Sequence, residues 1–260
     1  MATTISSGGA EIVAVGGLTS RTFVRGGGAV LVSGGTTSGL GVSSGATLTL
    51  LAGGAALAVS LGAEASATVS AGGTAEASVV SSGALLQVVS GGAAYATMVS
   101  SGGELLVRSG GTQTLLSGGT AAATALIGGA QLVASGGTAN GASVEGGSEV
   151  VARDGKTSGV TLYSGGTQSL SGTAAATVIG NGGSEFVVKG GAASGALISS
   201  GGSQTVNSGG IASGATVLAG GLQVVSAGGA VFATILSGGK EELYASGTAS
   251  GTVLAAGGYQ

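Results

Sequence analysis

Short aliphatic stretches alternate with glycine pairs along the whole chain. The stretches are three to five residues long and rich in β-branched side chains, which is typical of short β-strands. Glycine recurs too often for a helix to complete several uninterrupted turns. Each Gly-Gly pair supplies the positive φ angles that a tight corner requires. The pattern therefore predicts an all-β chain of short strands joined by corners.

This pattern repeats every 18 or 19 residues, with one interval of 17 and one of 27. Each repeat opens on a segment of the type x-Ala-Ser-Gly, and the clearest copies are Ala192–Gly210 and Ile211–Gly229. Because no composition shift divides the chain, we predict a single β-solenoid repeat domain over residues 1–260. The predicted repeat starts lie near residues 18, 36, 55, 74, 93, 120, 138, 156, 173, 192, 211, 230 and 248.

A strand, a corner, a second strand and a return after about 19 residues describe one coil of a solenoid. Each strand would pair in parallel with its equivalent one coil on, about 4.8 Å away. Parallel crossovers strongly prefer right-handed winding. The predicted fold is therefore a right-handed parallel β-helix (β-solenoid) of about 13 coils, with 18–19 residues per coil.

The aliphatic residue three positions before each glycine pair is predicted to face the interior, while Ser, Thr, Gln and Glu face outward. In the first arm of the repeat these interior residues are Val24, Val42, Val80, Val99, Leu162, Ile179, Ile198, Val217, Ile235 and Leu254. In the second arm they are Val13, Leu31, Leu50, Val69, Val88, Val107, Val133, Val151, Val187, Val206 and Val225.

The period breaks between Arg108 and Thr120, because the insertion 112–119 repeats the second arm in tandem. Leu115 and Leu116 are apolar, so the extra arm is predicted to pack on the solenoid. The alternative is a protruding partner-binding loop, since irregular insertions in repeat proteins often lie on binding faces.

Composition excludes several classes of protein and of chemistry. The chain has 59 Gly and no Pro, yet 43% of its residues are hydrophobic and 7% are charged, which excludes a disordered linker and collagen. Without His or Cys there is no imidazole base, thiolate or usual zinc site. With a single Asp, the prediction is a protein that is not an enzyme, with no catalytic residue, cofactor or metal site.

The charged residues are few and scattered. Their densest cluster is interpreted as a solvated face, with a polysaccharide-active β-helix enzyme as the alternative. A net charge of −3 with no basic cluster argues against nucleic acid. No apolar run is long enough for a membrane span, and no export signal is expected within this chain. The cluster comprises Glu145, Glu149, Arg153, Asp154 and Lys156.

The unit xASGxTVxSGGxQxVxSGG resembles the repeats of AIDA-type self-associating autotransporter adhesins, the group of the diffuse-adherence adhesin, TibA and antigen 43. The resemblance covers essentially all 260 residues. It implies a parallel β-helix on the bacterial cell surface that mediates adhesion and autoaggregation. It also implies O-glycosylation of corner serines by a dedicated heptosyltransferase. The matching candidate acceptors are Ser82, Ser101 and Ser200 in Ser-Ser-Gly corners and Ser208 in Asn-Ser-Gly-Gly.

Two non-enzymatic alternatives remain open besides adhesion. A purely structural solenoid needs no special residues. An ice-binding face would need regular Thr-x-Thr motifs, which occur at Thr47/Thr49 and Thr112/Thr114 but not in successive coils. The expected partners are further copies of the chain, end to end or side by side because strand edges invite pairing. A host or neighbouring cell surface and a glycosyltransferase are the other expected partners.

Overall fold

The computed structural model describes residues 3–100 and 102–260, so candidate Ser101 lies outside the described residues. Every regular element in this part of the chain is a β-strand. The chain divides into two compact units, Met1–Gln131 (unit 1) and Leu132–Gln260 (unit 2), and the single-domain assignment stays a prediction. In each unit the strands pair in parallel with strands one turn on, and the chain makes about 13 turns. The predicted parallel β-solenoid is confirmed.

Each turn contains three strands, which we name by their place in the repeat. The ASG strand begins at the repeat start, the aliphatic strand follows it, and the third strand closes the turn. Thus Ala192–Ser194 is an ASG strand, Leu197–Ile198 an aliphatic strand and Ser203–Val206 a third strand. A strand begins at each of the predicted repeat starts.

In unit 1 the ASG strands are β3 (Leu18–Ser20), β6 (Thr36–Ser38), β9 (Ala55–Leu57), β12 (Thr74–Glu76), β15 (Ala93–Tyr95) and β19 (Thr120–Ala122). The aliphatic strands are β1 (Thr3–Ile5), β4 (Thr22–Val24), β7 (Gly41–Val42), β10 (Ser60–Leu61), β13 (Val79–Val80), β16 (Met98–Val99) and β20 (Thr124–Ile127). The third strands are β2 (Ala10–Val13), β5 (Ala29–Val32), β8 (Thr47–Leu50), β11 (Ser66–Val69), β14 (Leu85–Val88) and β17 (Glu104–Arg108), with β18 (Thr112–Leu115) as the extra arm.

The third strand β21 (Ala130–Val133) spans the division between the units. In unit 2 the ASG strands are β22 (Thr138–Asn140), β25 (Lys156–Ser158), β28 (Thr173–Ala175), β31 (Ala192–Ser194), β34 (Ile211–Ser213), β37 (Ala230–Phe232) and β40 (Thr248–Ser250). The aliphatic strands are β23 (Ser143–Glu145), β26 (Thr161–Tyr163), β29 (Val178–Ile179), β32 (Leu197–Ile198), β35 (Thr216–Leu218), β38 (Ile235–Ser237) and β41 (Val253–Ala255). The third strands are β24 (Ser148–Val151), β27 (Thr167–Leu170), β30 (Ser184–Val187), β33 (Ser203–Val206), β36 (Leu222–Val225) and β39 (Lys240–Leu243).

The core of each turn is narrow because ASG strands contribute small side chains and the other strands contribute aliphatic ones. Successive side chains of a strand point to opposite faces, so one flank of every strand lines the interior. In the turn that starts at Ala192, the interior residues include Ala193, Ile198 and Val206, all buried. Stability in such a fold accumulates from one turn to the next rather than from one large core.

The predicted interior columns are correct at most positions and wrong at three. Leu31 is half-buried while its neighbour Val32 is fully buried. Ile235 is 43% exposed and Leu236 is fully buried in its place. In both turns the glycine pair is offset by one residue from the strand, so counting back from it selects the outer face. Leu254 is also exposed.

The prediction that Gln and Glu face outward is wrong for many third strands. Their second residue lies two positions before the interior aliphatic residue, and a separation of two puts both side chains on the same face. The same spacing in the sequence could have revealed this. The buried residues at this position are Gln113, Gln131, Glu149, Gln168, Glu185, Gln204, Gln223 and Glu241.

The extra arm forms a β-strand, β18, that is part of the solenoid. β18 pairs in parallel with the ASG strand β15, which places Gln113 opposite Ala94. The following aliphatic strand β20 then pairs with the third strand β17. At the extra arm in unit 1, therefore, a third strand pairs with an ASG strand of the preceding turn, and an aliphatic strand pairs with a third strand. Leu115 is fully buried and Leu116 is 45% exposed, so Thr112–Leu115 does not protrude as a loop.

Candidate functional site

The corners that carry the predicted acceptor serines are tight turns with a left-handed glycine. In the corner Ser81–Ala84, the Ala84 amide donates to the Ser81 carbonyl at 3.0 Å, and Gly83 has φ of 76°. A turn with positive φ at its third residue favours glycine there. The Ser199–Gly202 corner repeats this geometry, with φ of 74° at Gly201. The serine before the glycine consequently stands at the corner tip.

Ser82, Ser200 and Ser208 are all exposed at such tips. Each hydroxyl lies over a glycine of the following turn: a β-carbon at Gly102 would come within 2.6 Å of Ser82 Oγ. The corresponding distances are 2.7 Å from Gly220 to Ser200 Oγ and 2.8 Å from Gly228 to Ser208 Oγ. A glycine about 20 residues after the serine therefore leaves room beside the hydroxyl.

Ser44 stands at an equivalent tip but has a different neighbour. Glu64, with φ of 59°, occupies the place of the following glycine. The Ser44 hydroxyl donates to the Glu64 carboxylate at 2.7 Å. We call a corner serine open when its hydroxyl lies beside a glycine of the following turn. The Ser44 hydroxyl is instead already hydrogen-bonded to Glu64.

Two further serines share the open arrangement. A β-carbon at Gly27 would lie 2.9 Å from Ser7 Oγ, and one at Gly110 would lie 2.7 Å from Ser90 Oγ. Both serines are exposed at corner tips. They were not among the sequence candidates, and the signal that could have found them is a serine tip with glycine in the next repeat.

The charged cluster divides between the interior and one corner. Glu149 is fully buried inside the solenoid. Arg153, Asp154 and Lys156 lie instead around a surface cavity of about 460 Å³, together with Ser171. They therefore share no site with the buried carboxyl.

This cavity exists because one corner is short. Its neighbours in the next and preceding repeats have two residues more, whereas here Ser171 and Gly172 alone join β27 to β28. The Gly172 amide donates to the Val151 carbonyl at 3.2 Å. The cavity brings together hydroxyls, two cations and one carboxylate, but not the two carboxyl groups that acid–base hydrolysis of a glycosidic bond uses.

The adjacent residues Glu241 and Glu242 also lie in different environments. Glu241 is buried and accepts hydrogen bonds from Thr252 and Gln260. Glu242 forms a surface ion pair with Lys240, whose hydrogen bond lowers the pKa of the Glu242 carboxyl. Among residues 3–100 and 102–260, no three potential metal-binding side chains cluster together.

These repeats also match known proteins. The sequence model of the AIDA family, described as "Adhesin of bacterial autotransporter system, probable stalk", matches residues 71–126 and 181–239. A solved structure of a TibA fragment, hyper-glycosylated by TibC catalysis, is 32% identical and matches with a TM-score of 0.56. That match covers 96% of this chain and 98% of the TibA fragment chain. This chain belongs to the AIDA family.

AIDA membership confirms the resemblance inferred from the repeat and agrees with the parallel β-solenoid seen here. A comparison with curated proteins gives no significant match. In the described parts of the chain no helix is long and apolar enough to cross a membrane.

Proposed function

We propose that this AIDA-family chain is a non-enzymatic passenger segment displayed on the bacterial surface, where it mediates adhesion and self-association. The observation that carries the proposal is the set of exposed serines at the corners of the repeat, each beside a glycine of the following turn. A repeated surface lets many weak contacts add through avidity. Such a surface needs no catalytic constellation.

We further propose that the open corner serines are O-glycosylated with heptose. Exposure and the adjacent glycine support Ser82, Ser200 and Ser208 as acceptors. The glycosylated TibA fragment supports the same chemistry by analogy. Ser101 is proposed from its motif alone.

Co-expression with a TibC-type heptosyltransferase, followed by intact-mass and peptide analysis, tests the modification. The expected result is heptose-sized increments on Ser82, Ser200 and Ser208. A Ser200→Ala variant should lose one increment. Ser44→Ala is the matched control and should lose none, because the Ser44 hydroxyl is bonded to Glu64. An unchanged intact mass across several enzymes of this class would contradict glycosylation.

Cell display tests adhesion separately from modification. Cells that display the chain should settle faster than cells that display an unrelated β-solenoid of similar length. Equal settling of the two cell types, with and without glycosylation, would contradict the adhesive role.

Ice binding receives no comparable support. On β8, Thr47 and Thr49 stand beside Ala29 and Leu31 of β5 on one side and beside Ser66 and Thr68 of β11 on the other, so neither neighbouring strand repeats the Thr-x-Thr motif. A thermal-hysteresis assay remains the direct measurement for that alternative.

A further inference from the structure

A continuous column of amide and carboxyl side chains runs through the interior of unit 2. It occupies the second position of consecutive third strands, where every member is at most 1% exposed. Parallel pairing keeps the column in register; Gln168 of β27, for example, lies opposite Glu185 of β30. We call this column the Gln/Glu ladder; its members are Glu149, Gln168, Glu185, Gln204, Gln223 and Glu241.

Hydrogen bonds along the ladder have one direction. Gln168 Nε2 donates to Glu149 Oε2 at 2.5 Å, and Gln223 Nε2 donates to Gln204 Oε1 at 2.7 Å. Gln204 Nε2 likewise donates to Glu185 Oε2 at 2.5 Å. In each case a glutamine amide donates to the preceding turn.

The direction breaks where a carboxyl replaces an amide. Gln168 Oε1 and Glu185 Oε1 are both buried without a hydrogen-bond partner, although their residues are adjacent in register. Two acceptors cannot bond to each other, and an unpaired buried polar atom is costly. A proton on Glu185 Oε1 would convert that oxygen into a donor with the same direction as the glutamine amides. Glu149 Oε1 is a further unpaired buried oxygen.

The surroundings offer no charge to balance a carboxylate. Thr157 of β25 accepts from Gln168, and Thr177, which precedes β29, bonds to the Glu185 carboxyl. The titratable group that acts on Glu149 is Glu185, which has the same charge. Lys and Arg are absent from the buried residues of the described chain. Burial without a cation favours the neutral form of a carboxyl group.

We propose that Glu149 and Glu185 are held as neutral carboxylic acids that act as glutamine analogues in the ladder, so that unit 2 is a pH-sensitive element that loses stability as pH rises toward neutrality. The carboxyl O–H takes the place of the amide N–H at these turns. The folded unit then retains protons that the unfolded chain releases. This device is independent of adhesion and of corner glycosylation.

The direction of the pH effect follows from burial. Desolvation raises the pKa of Glu149 from 4.5 to about 7 and also raises the pKa of Glu185. The stability is therefore complete below about pH 4.5 and is lost as pH rises to about 7, where the folded Glu149 carboxyl ionises. For Glu149 alone, the unfolding equilibrium should increase on the order of a hundredfold across this window.

A glutamine double variant tests the proposal because an amide keeps the donor and cannot ionise. Urea unfolding of the full chain is measured from about pH 4.5 to about pH 8. The wild type should lose stability over this range, whereas Glu149→Gln/Glu185→Gln should lose much less and should be the more stable chain at the upper pH. Glu145→Gln, on β23 and not buried, is the matched control and should follow the wild type. Equal pH slopes for the wild type and the double variant would overturn the proposal.

Infrared spectroscopy gives a second result that does not depend on how the variant folds. With ¹³C-labelled glutamate, wild-type protein at about pH 6 should show the C=O stretch of a protonated carboxyl group. This band should lose most of its intensity in the double variant, in which Glu241, whose pKa is also raised by burial, is the ladder carboxyl that remains. Its absence from the folded wild type would show that both carboxyls are ionised and would overturn the proposal.

Discussion

Third strands of unit 1 and unit 2 have the same backbone pairing but different side chains at the same interior position. In unit 1 the second residue of these strands is aliphatic in most turns, as at Val30, Leu48 and Leu86. In unit 2 the equivalent position belongs to the Gln/Glu ladder. The interior face of the third strands therefore accommodates either a column of aliphatic side chains or a column of Gln and Glu side chains, provided that each side chain contacts a compatible one in the next turn.

The two columns stabilise their turns by different forces. A buried leucine contributes about 1.5–3 kcal/mol through removal of apolar surface from water, whatever aliphatic residue it meets. A buried glutamine contributes about 0.5–1.5 kcal/mol net per hydrogen bond, and only if the neighbour is in register. In-register parallel strands place equivalent residues about 4.8 Å apart, which suits amide ladders. The polar column therefore specifies register more strictly than the aliphatic one.

The largest expected effect comes from placing one amide in the aliphatic column. Leu86→Gln should destabilise the chain by about 3–5 kcal/mol, because its register neighbours Ala67 and Leu105 offer no partner. Urea unfolding measures the change. Adding Leu105→Gln should cost less than the sum of the single variants, since the two amides can pair.

Leu85→Gln is the matched control for that experiment. Leu85 is on the same strand but on its outer side, so stability should change by less than about 0.5 kcal/mol. Additive losses in the double variant would contradict the view that a column needs like neighbours.

The converse substitution should have a smaller effect. Gln204→Leu removes both ladder bonds of that residue and leaves Gln223 Nε2 unpaired. The expected loss in unfolding free energy is about 2–4 kcal/mol. Thr205→Val, on the outer side of β33, should have little effect. Unchanged stability of Gln204→Leu would show that the ladder bonds contribute nothing.

The smallest expected effect comes from deleting Thr112–Gly119. The deletion restores the 19-residue period but would place Gln131 against Leu105 instead of Gln113, with which it now shares a 2.6 Å hydrogen bond. We expect a loss of about 1–3 kcal/mol, and Gln113→Leu in the full chain measures the amide contribution alone. A more stable deletion variant would make the extra arm a tolerated irregularity. Loss of self-association without loss of stability would identify it as a contact surface.

Local rules were sufficient for the strands and corners. Glycine at Gly83 and Gly201 is favoured by a positive φ within the corner itself, so the turns could be predicted from the chain alone. The repeat period then implied parallel stacking, because each turn has the same strands at the same spacing. The interior position of Gln204 was also accessible, since it lies two residues before the buried Val206.

The properties of the side chains depended on neighbours in the adjacent turn. Ser44 and Ser200 occupy similar corners, and only the residue of the next turn, Glu64 or Gly220, determines whether the hydroxyl is engaged or open. The interior prediction for Leu31 failed because a one-residue offset reverses the face of a strand.

The solenoid, its period and its family follow from the amino-acid sequence alone, because they depend on spacings that recur within each repeat. Two features are visible only in the folded chain: the extra arm pairs as a strand of the solenoid, and glutamates stack among glutamines away from any cation. Burial, hydrogen bonding and electrostatic environment are set between turns, by residues about 19 positions apart that meet only when the chain is folded.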